Sequence, residues 1–266
     1  MREPDSQRHE QLLRFEQFGL RWNPFRIVRS DEAAAVYVND LYDGIGQATA
    51  VADAEVKFSQ IIAPVGHGKS TFLRAIGAAF SEIGLSFEWC YLKPSLISRV
   101  PTPVSGTDVL IIDEAERLSR SNLGKLIRWC DRNAGRLIMS THHDLTSRFP
   151  GDVLTVELPG ITEGSLQRLF DTRIRWSGGD SEQFKLAPDA ATWLIRNSGH
   201  NVRVIEAVLY EAFQAAHNGQ TLCVTQQALE PWRRFATERA AQEAQDQNSL
   251  LSRIRFTFKE LSGRTA

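Results

Sequence analysis

The residues best suited to chemistry lie in two short stretches. The first, Ser59 to Thr71, reads S-Q-I-I-A-P-V-G-H-G-K-S-T, an apolar run that breaks into a glycine-bearing loop. An anion carrying several charges needs backbone N–H groups turned inward around it, and glycine is required wherever a Cβ would block that approach. Pro64 and Val65 open the loop, Gly66 and Gly68 flank His67, and Lys69, Ser70 and Thr71 begin a helix read from Lys69 through Ala79. That helix would turn its positive end on the same point. These eight residues are expected to cradle phosphate, with Lys69 reaching the β- and γ-phosphates of a nucleotide and the Ser70 hydroxyl ligating Mg2+. The spacing is that of G-x-x-x-x-G-K-[ST], with Ala63 in place of the first glycine.

The second stretch, Asp108 to Leu118, reads D-V-L-I-I-D-E-A-E-R-L. Val109 to Ile112 form a continuous apolar run, as expected of a parallel strand covered on both faces. It ends in two carboxylates. Asp113 can hold the Mg2+ shell, and Glu114 can orient and deprotonate an attacking water. A helix N-cap with a first-turn acid is the plainer use of the same pair. The lysine loop and the acid pair are expected to come from neighbouring strands and to face one triphosphate.

Further strands must frame this pair. Leu85 to Leu92 alternates as a strand, and Lys93 to Thr107 is too rich in proline and glycine for a regular helix. Leu123 to Asn133 reads as a helix, Arg136 to Ser140 as a buried strand, and Val153 to Leu158 as another. The strand tip carries Ser140 and Thr141, so Thr141, with Ser140 beside it, is the candidate side chain for sensing the γ-phosphate. His142 and His143 follow, but adjacent histidines point different ways and no further ligand cluster is expected near them, which disfavours a metal site. His67 reads as a loop side chain rather than a catalyst.

Composition bounds the rest. The chain has 266 residues, 42% hydrophobic and 24% charged, enough for one α/β domain and a smaller appendage. A formal net charge of -1 gives no global field that would recruit nucleic acid or an anionic membrane. Three scattered cysteines, Cys90, Cys130 and Cys223, without C-x-x-C spacing, point to reduced thiols in a cytoplasm. A charged N-terminus and the lack of a long apolar run speak against secretion and membrane insertion.

Phe15 to Asp31 is an arm rich in aromatics, either docked on the core or passing Asn23, Pro24 and Phe25 near an adenine ring. Asp31 to Gly46 reads as a helix. From Thr162 the character turns wholly helical, with helices at Glu163 to Trp176, Pro188 to Asn197, Val202 to His217 and Thr225 to about Gln242. Arg203 sits in a first helical turn, where a cation is disfavoured unless it reaches an anion; a plain surface arginine is the alternative. The expected organisation is an arm and helix over 1–50, an α/β core over 51–160, a helical lid over 161–235 and a tail helix over 236–266.

The order A-P-V-G-H-G-K-S-T, L-I-I-D-E-A-E-R-L, strand-tip S-T, S-R-F and late G-H-N-V-R resembles that of the AAA+ ATPases, from about Phe15 to Trp232. F-G-L-R-W-N-P-F is similar to the arm opening the ExeA-type secretion ATPases, and the layout resembles the TniB and TnsC-like transposition ATPases. The resemblance implies a P-loop NTPase fold, a three-layer αβα core with a parallel sheet followed by a small all-helical lid. It implies ATP and Mg2+ as ligands and hydrolysis as the activity. Lys69 and Ser70 would bind phosphate and Mg2+, Asp113 would hold Mg2+, Glu114 would activate water and Thr141 would sense γ-phosphate. Arg203 would contact it from the lid, and Arg148 would project into a neighbouring subunit, making a homo-oligomer part of the mechanism. A non-hydrolytic, ATP-dependent adaptor is the alternative. An unknown protein is the expected partner, and DNA would require a patch from Arg253 to Arg264 or from Arg168, Arg173 and Arg175. The short proline-rich stretch between the two motifs replaces an expected helix.

Overall fold

The computed structural model describes residues 15–16, 18–27, 45–93, 103–216 and 222–245. The reading of a helix at Asp31 to Gly46, save for its last two residues, most of the proline-rich stretch and the Arg253 to Arg264 tail lie outside these. The described chain divides into two units, residues 45–159 and residues 160–242 together with the 15–27 arm.

The first unit is built on a five-stranded parallel sheet. Its strands are β1 (Phe58–Ile62), β2 (Phe87–Tyr91), β3 (Val109–Asp113), β4 (Arg136–Thr141) and β5 (Val153–Glu157), in the order β2-β3-β4-β1-β5. Helix α1 (Ile45–Asp53) precedes β1, α2 (Lys69–Glu82) follows it, and α3 (Arg120–Asn133) links β3 to β4. Side chains alternate across the pleat, so successive residues of β3 serve opposite layers. Leu110 and Ile112 join Leu126 and Cys130 of α3 in one buried cluster. Ile111 faces α2 instead, where a Cβ on Gly77 would lie 3.0 Å from Phe87 and 3.5 Å from Ile111. Glycine there lets α2 settle closely on the sheet, completing three layers. Ser119 caps α3 by accepting from Asn122 N at 3.1 Å.

The second unit contains α4 (Glu163–Trp176), α5 (Pro188–Ser198), α6 (Val202–Ala215) and α7 (Gln226–Leu229). A capping box at Thr162 and Ser165 starts α4, and Asn201 caps α6. The expectation of an all-helical lid needs one correction. Strands β6 (Phe184–Leu186) and β7 (Leu222–Val224) pair in parallel within it. The last helix is also interrupted, by a tight turn at Glu230–Trp232 that contains Pro231, before helix resumes over 233–245.

The arm packs into this helical unit. Phe25 stacks 5.6 Å from Phe170 and 5.2 Å from Phe213, and Asn23 donates to Tyr210 O at 3.0 Å. These aromatics thus dock on the helical unit. Arg173, read as part of a basic face, is instead 1% exposed and paired with Glu206. A guanidinium so engaged cannot present itself to phosphate, so the patch of Arg168, Arg173 and Arg175 does not form as expected. No helix among the described residues is long and apolar enough to cross a membrane.

Candidate nucleotide site

The loop between β1 and α2 has the backbone its glycines foretell. Gly66 has φ 75°, and Gly68, with φ 85°, stands at the N-cap of α2. A side chain in that left-handed region costs about 1 kcal/mol or more. Ala63 lies outside it, and its N–H donates to Thr141 O at 3.3 Å, so alanine fits where the usual pattern has glycine. Lys69 is only 5% exposed. Its ammonium donates to Ala63 O at 2.9 Å, to Pro64 O at 3.1 Å and to His142 Nδ1 at 2.9 Å. Two left-handed glycines, a helix N-terminus and a buried ammonium form a donor set suited to a polyphosphate.

The acids occupy the end of β3. Asp113 is buried and accepts from Ser140 Oγ, which itself accepts from Glu114 N at 2.9 Å. Glu114 sits in the left-handed region at φ 66°, ψ 46°. A non-glycine residue held there costs about 1 to 3 kcal/mol and persists only where its surroundings fix it. Here Arg117 Nη2 lies 2.9 Å and His142 Nε2 3.4 Å from Glu114 Oε2. Arg117 is itself tied down, donating to Leu92 O. The helix-cap alternative for the acid pair is not what the side chain does, since Glu114 makes no capping hydrogen bond.

Glu116, two residues on, is fully buried, with its carboxyl set against that of Glu114. Burial pushes Glu114 up, but the hydrogen bond from His142 and the charge of Arg117 outweigh it, holding the carboxyl at about 2. Burial, then the Glu114 charge, drives Glu116 the other way, to about 7. Of the two, Glu114 carries the negative charge because Arg117 and His142 face it.

Strand order explains why these groups meet. The lysine loop and the acid pair do not come from neighbouring strands as expected, because β4 lies between β1 and β3. Residues just past the ends of the three strands therefore converge, and His142, just past β4, spans Lys69 and Glu114. An ammonium has only protons to offer, so Nδ1 accepts from Lys69, and Nε2–H faces Glu114 and, at 3.5 Å, Glu116. The expectation that no ligand cluster lies near the two histidines is thereby overturned. One ligand atom each from Glu114, Glu116 and His142 lie within 4.8 Å of one another.

Thr141 donates its hydroxyl to His143 O at 2.8 Å, within its own turn, whereas its neighbour Ser140 touches Asp113. Ser70 and Thr71 are partly exposed at the start of α2. Arg148 ends the short turn Thr146–Arg148 and is half-buried, its guanidinium pushed down by burial and then by Arg120, with Glu116 opposing. Arg203, in the helical unit, is exposed in the first turn of α6, its N–H capped by Asn201 at 3.0 Å. Sequence reasoning gave no role to Glu116, Arg117 or His142. The i, i+3 spacing of Glu114 and Arg117 was the signal available for one of them.

Solved structures of similar fold include the RuvB Holliday junction branch migration motor of Thermotoga maritima. It matches with a TM-score of 0.51 and 19% identity, over 79% of this chain and 72% of that one. NtrX of Brucella abortus matches with a TM-score of 0.49 and 18% identity, over 70% of this chain, which spans only 53% of that protein. No family model matches, and no curated protein does. The likeness to RuvB shows the fold: a parallel α/β sheet followed by a helical region.

Proposed function

We propose that this chain is an AAA+-type molecular switch that binds ATP with Mg2+, hydrolyses it, and acts on a protein or DNA partner through self-association. One observation carries the reading: a single imidazole spans Lys69 and Glu114, 2.9 Å from the first and 3.4 Å from the second. The groups that would hold phosphate and activate water thus share one site. Lys69 would leave its carbonyl partners for the β- and γ-phosphates, and Ser70 and Asp113 would hold Mg2+. That ion would supply neutralisation of charge on the phosphate oxygens. Glu114 would take the proton of the attacking water, Thr141 would read the γ-phosphate, and Arg203 would act from the helical region. Arg148 would serve a neighbouring subunit.

A specific observation favours the non-hydrolytic adaptor as second reading. A carboxyl held at about 2 by His142 and Arg117 is a weak base until it leaves them. Glu114→Gln separates the two. Hydrolysis predicts unchanged nucleotide affinity and turnover lowered by about 10² to 10⁴, with wild-type turnover per chain rising with protein concentration. Wild-type phosphate release that stays at background across that concentration range leaves the adaptor. Duplex DNA titrated over a salt series, with and without ATP, tests the DNA partner.

A further inference from the structure

We propose that His142 is a positioning residue that makes the freedom of Glu114 depend on where Lys69 is, by changing tautomer when Lys69 moves onto phosphate. A neutral imidazole carries one N–H and one bare nitrogen, and the partners of each decide which is which. Nδ1 of His142 stands between a donor and an acceptor, 2.9 Å from Lys69 Nζ and 3.0 Å from Ala63 O. The Ala63 N–H donates to Thr141 O at 3.3 Å, which carries the pairing of β1 with β4 past Ile62 and sets the Ala63 carbonyl beside the ring. While Lys69 donates to Nδ1, the ring proton resides on Nε2, which lies 3.4 Å from Glu114 Oε2 and 3.5 Å from Glu116 Oε1. Lys69 also donates to Ala63 O at 2.9 Å, so its departure strips a donor from that carbonyl, and Nδ1–H is the group at hand to replace it.

The ring is neutral before and after this change: water delivers a proton to Nδ1 and removes the one on Nε2. Nε2 then turns a lone pair on the carboxyls it faced. Glu114 Oε2 keeps Arg117 Nη2 at 2.9 Å but loses the donor supplied by His142, and the bare nitrogen repels the carboxylate it formerly held. The Glu114 side chain is 15% exposed and that of His142 only 3%, so the carboxylate rather than the ring has room to swing toward water. The base is thereby loosened when phosphate reaches Lys69 and held when the loop is empty. That consequence rests on the ATPase reading, whereas the dependence of the ring on Lys69 does not.

The test is NMR of the full chain with isotope-labelled histidine at about pH 8, where an ordinary imidazole is neutral. Ring nitrogens with and without a proton resonate far apart, and the His142 signals are identified by their loss in His142→Asn. In the nucleotide-free wild type the proton is expected on Nε2; in nucleotide-free Lys69→Met, with folding checked by circular dichroism, it is expected on Nδ1. The wild type with Mg2+ and a non-hydrolysable ATP analogue should match Lys69→Met. An Nδ1–H form in the empty wild type, an Nε2–H form in Lys69→Met, or an analogue that binds by calorimetry without moving the proton overturns the proposal. An analogue that does not bind sinks the ATPase reading instead, and Lys69→Met still decides the ring; a Lys69→Met chain that does not fold leaves the analogue to decide it. Turnover reads the hold on Glu114. Asparagine reproduces the Nδ1 end of imidazole and glutamine the Nε2 end, so His142→Gln keeps a donor on Glu114, and its kcat should lie at least about tenfold below that of His142→Asn. Equal kcat values would overturn the hold.

Discussion

Glu116→Gln should change how stability depends on pH, and the structure sets the size of the change. The carboxyl is fully buried beside Glu114, and burial, followed by the Glu114 charge, raises it from 4.5 to about 7. Between those values the folded chain keeps a proton that the unfolded chain has released. The folded state binds more protons, so stability falls as pH rises through the window and levels off above it. At about 1.4 kcal/mol per unit, the full shift corresponds to about 3 kcal/mol. Water entry and relaxation around the charge reduce this, and about 1 to 3 kcal/mol is the expected loss. Glutamine has the same shape and cannot ionise. The variant should therefore match the wild type near about pH 5 and exceed it near about pH 8, by about 3 to 9 °C in melting temperature. Scanning calorimetry of both proteins gives the comparison. Melting temperatures that fall in parallel with pH would refute a buried, protonated Glu116. Glu114 titrates at about 2 and contributes nothing to this window.

Arg148→Ala should lower turnover by about 10³ to 10⁵ while leaving nucleotide affinity intact; a fluorescent-nucleotide titration showing equal loss of affinity would place Arg148 in its own chain's binding site. Gln60→Ala should cost about 1 to 3 kcal/mol. The Gln60 amide nitrogen lies 2.6 Å from Asp144 Oδ1 and 2.9 Å from the Thr146 and Thr155 hydroxyls, its two protons shared among them, and its oxygen accepts from Leu145 N. An unchanged urea midpoint would show that these bonds do not hold the turn that carries Arg148. Phe25→Ala should destabilise the helical unit by about 3 to 5 kcal/mol, read by hydrogen exchange. Protection lost instead around the β-sheet would contradict the packing of the arm on Phe170 and Phe213.

The backbone of the lysine loop was legible because its determinants are local. Glycines at positions of positive φ and a strand-to-helix turn ending in Lys69 encode one backbone shape whatever surrounds them. Helix α4, from Glu163 to Trp176, was legible for the same reason, its capping box and apolar spacing being contained in one stretch. Short strands were less so. Phe184–Leu186 and Leu222–Val224 lie among helices and gain their pairing from each other, so neither announces itself. Arg173 looked like a surface charge until the fold set Glu206 against it.

The sequence by itself determined that a glycine-bearing lysine loop and an acid pair exist, and in which order they occur along an α/β chain. Only the tertiary structure decided that β4 runs between their strands and carries His142 into contact with Lys69, Glu114 and Glu116. Which strand inserts beside which depends on the packing of whole layers, and the electrostatic character of Glu114 and Glu116 depends on that insertion. Neither is a property of residues adjacent in the chain.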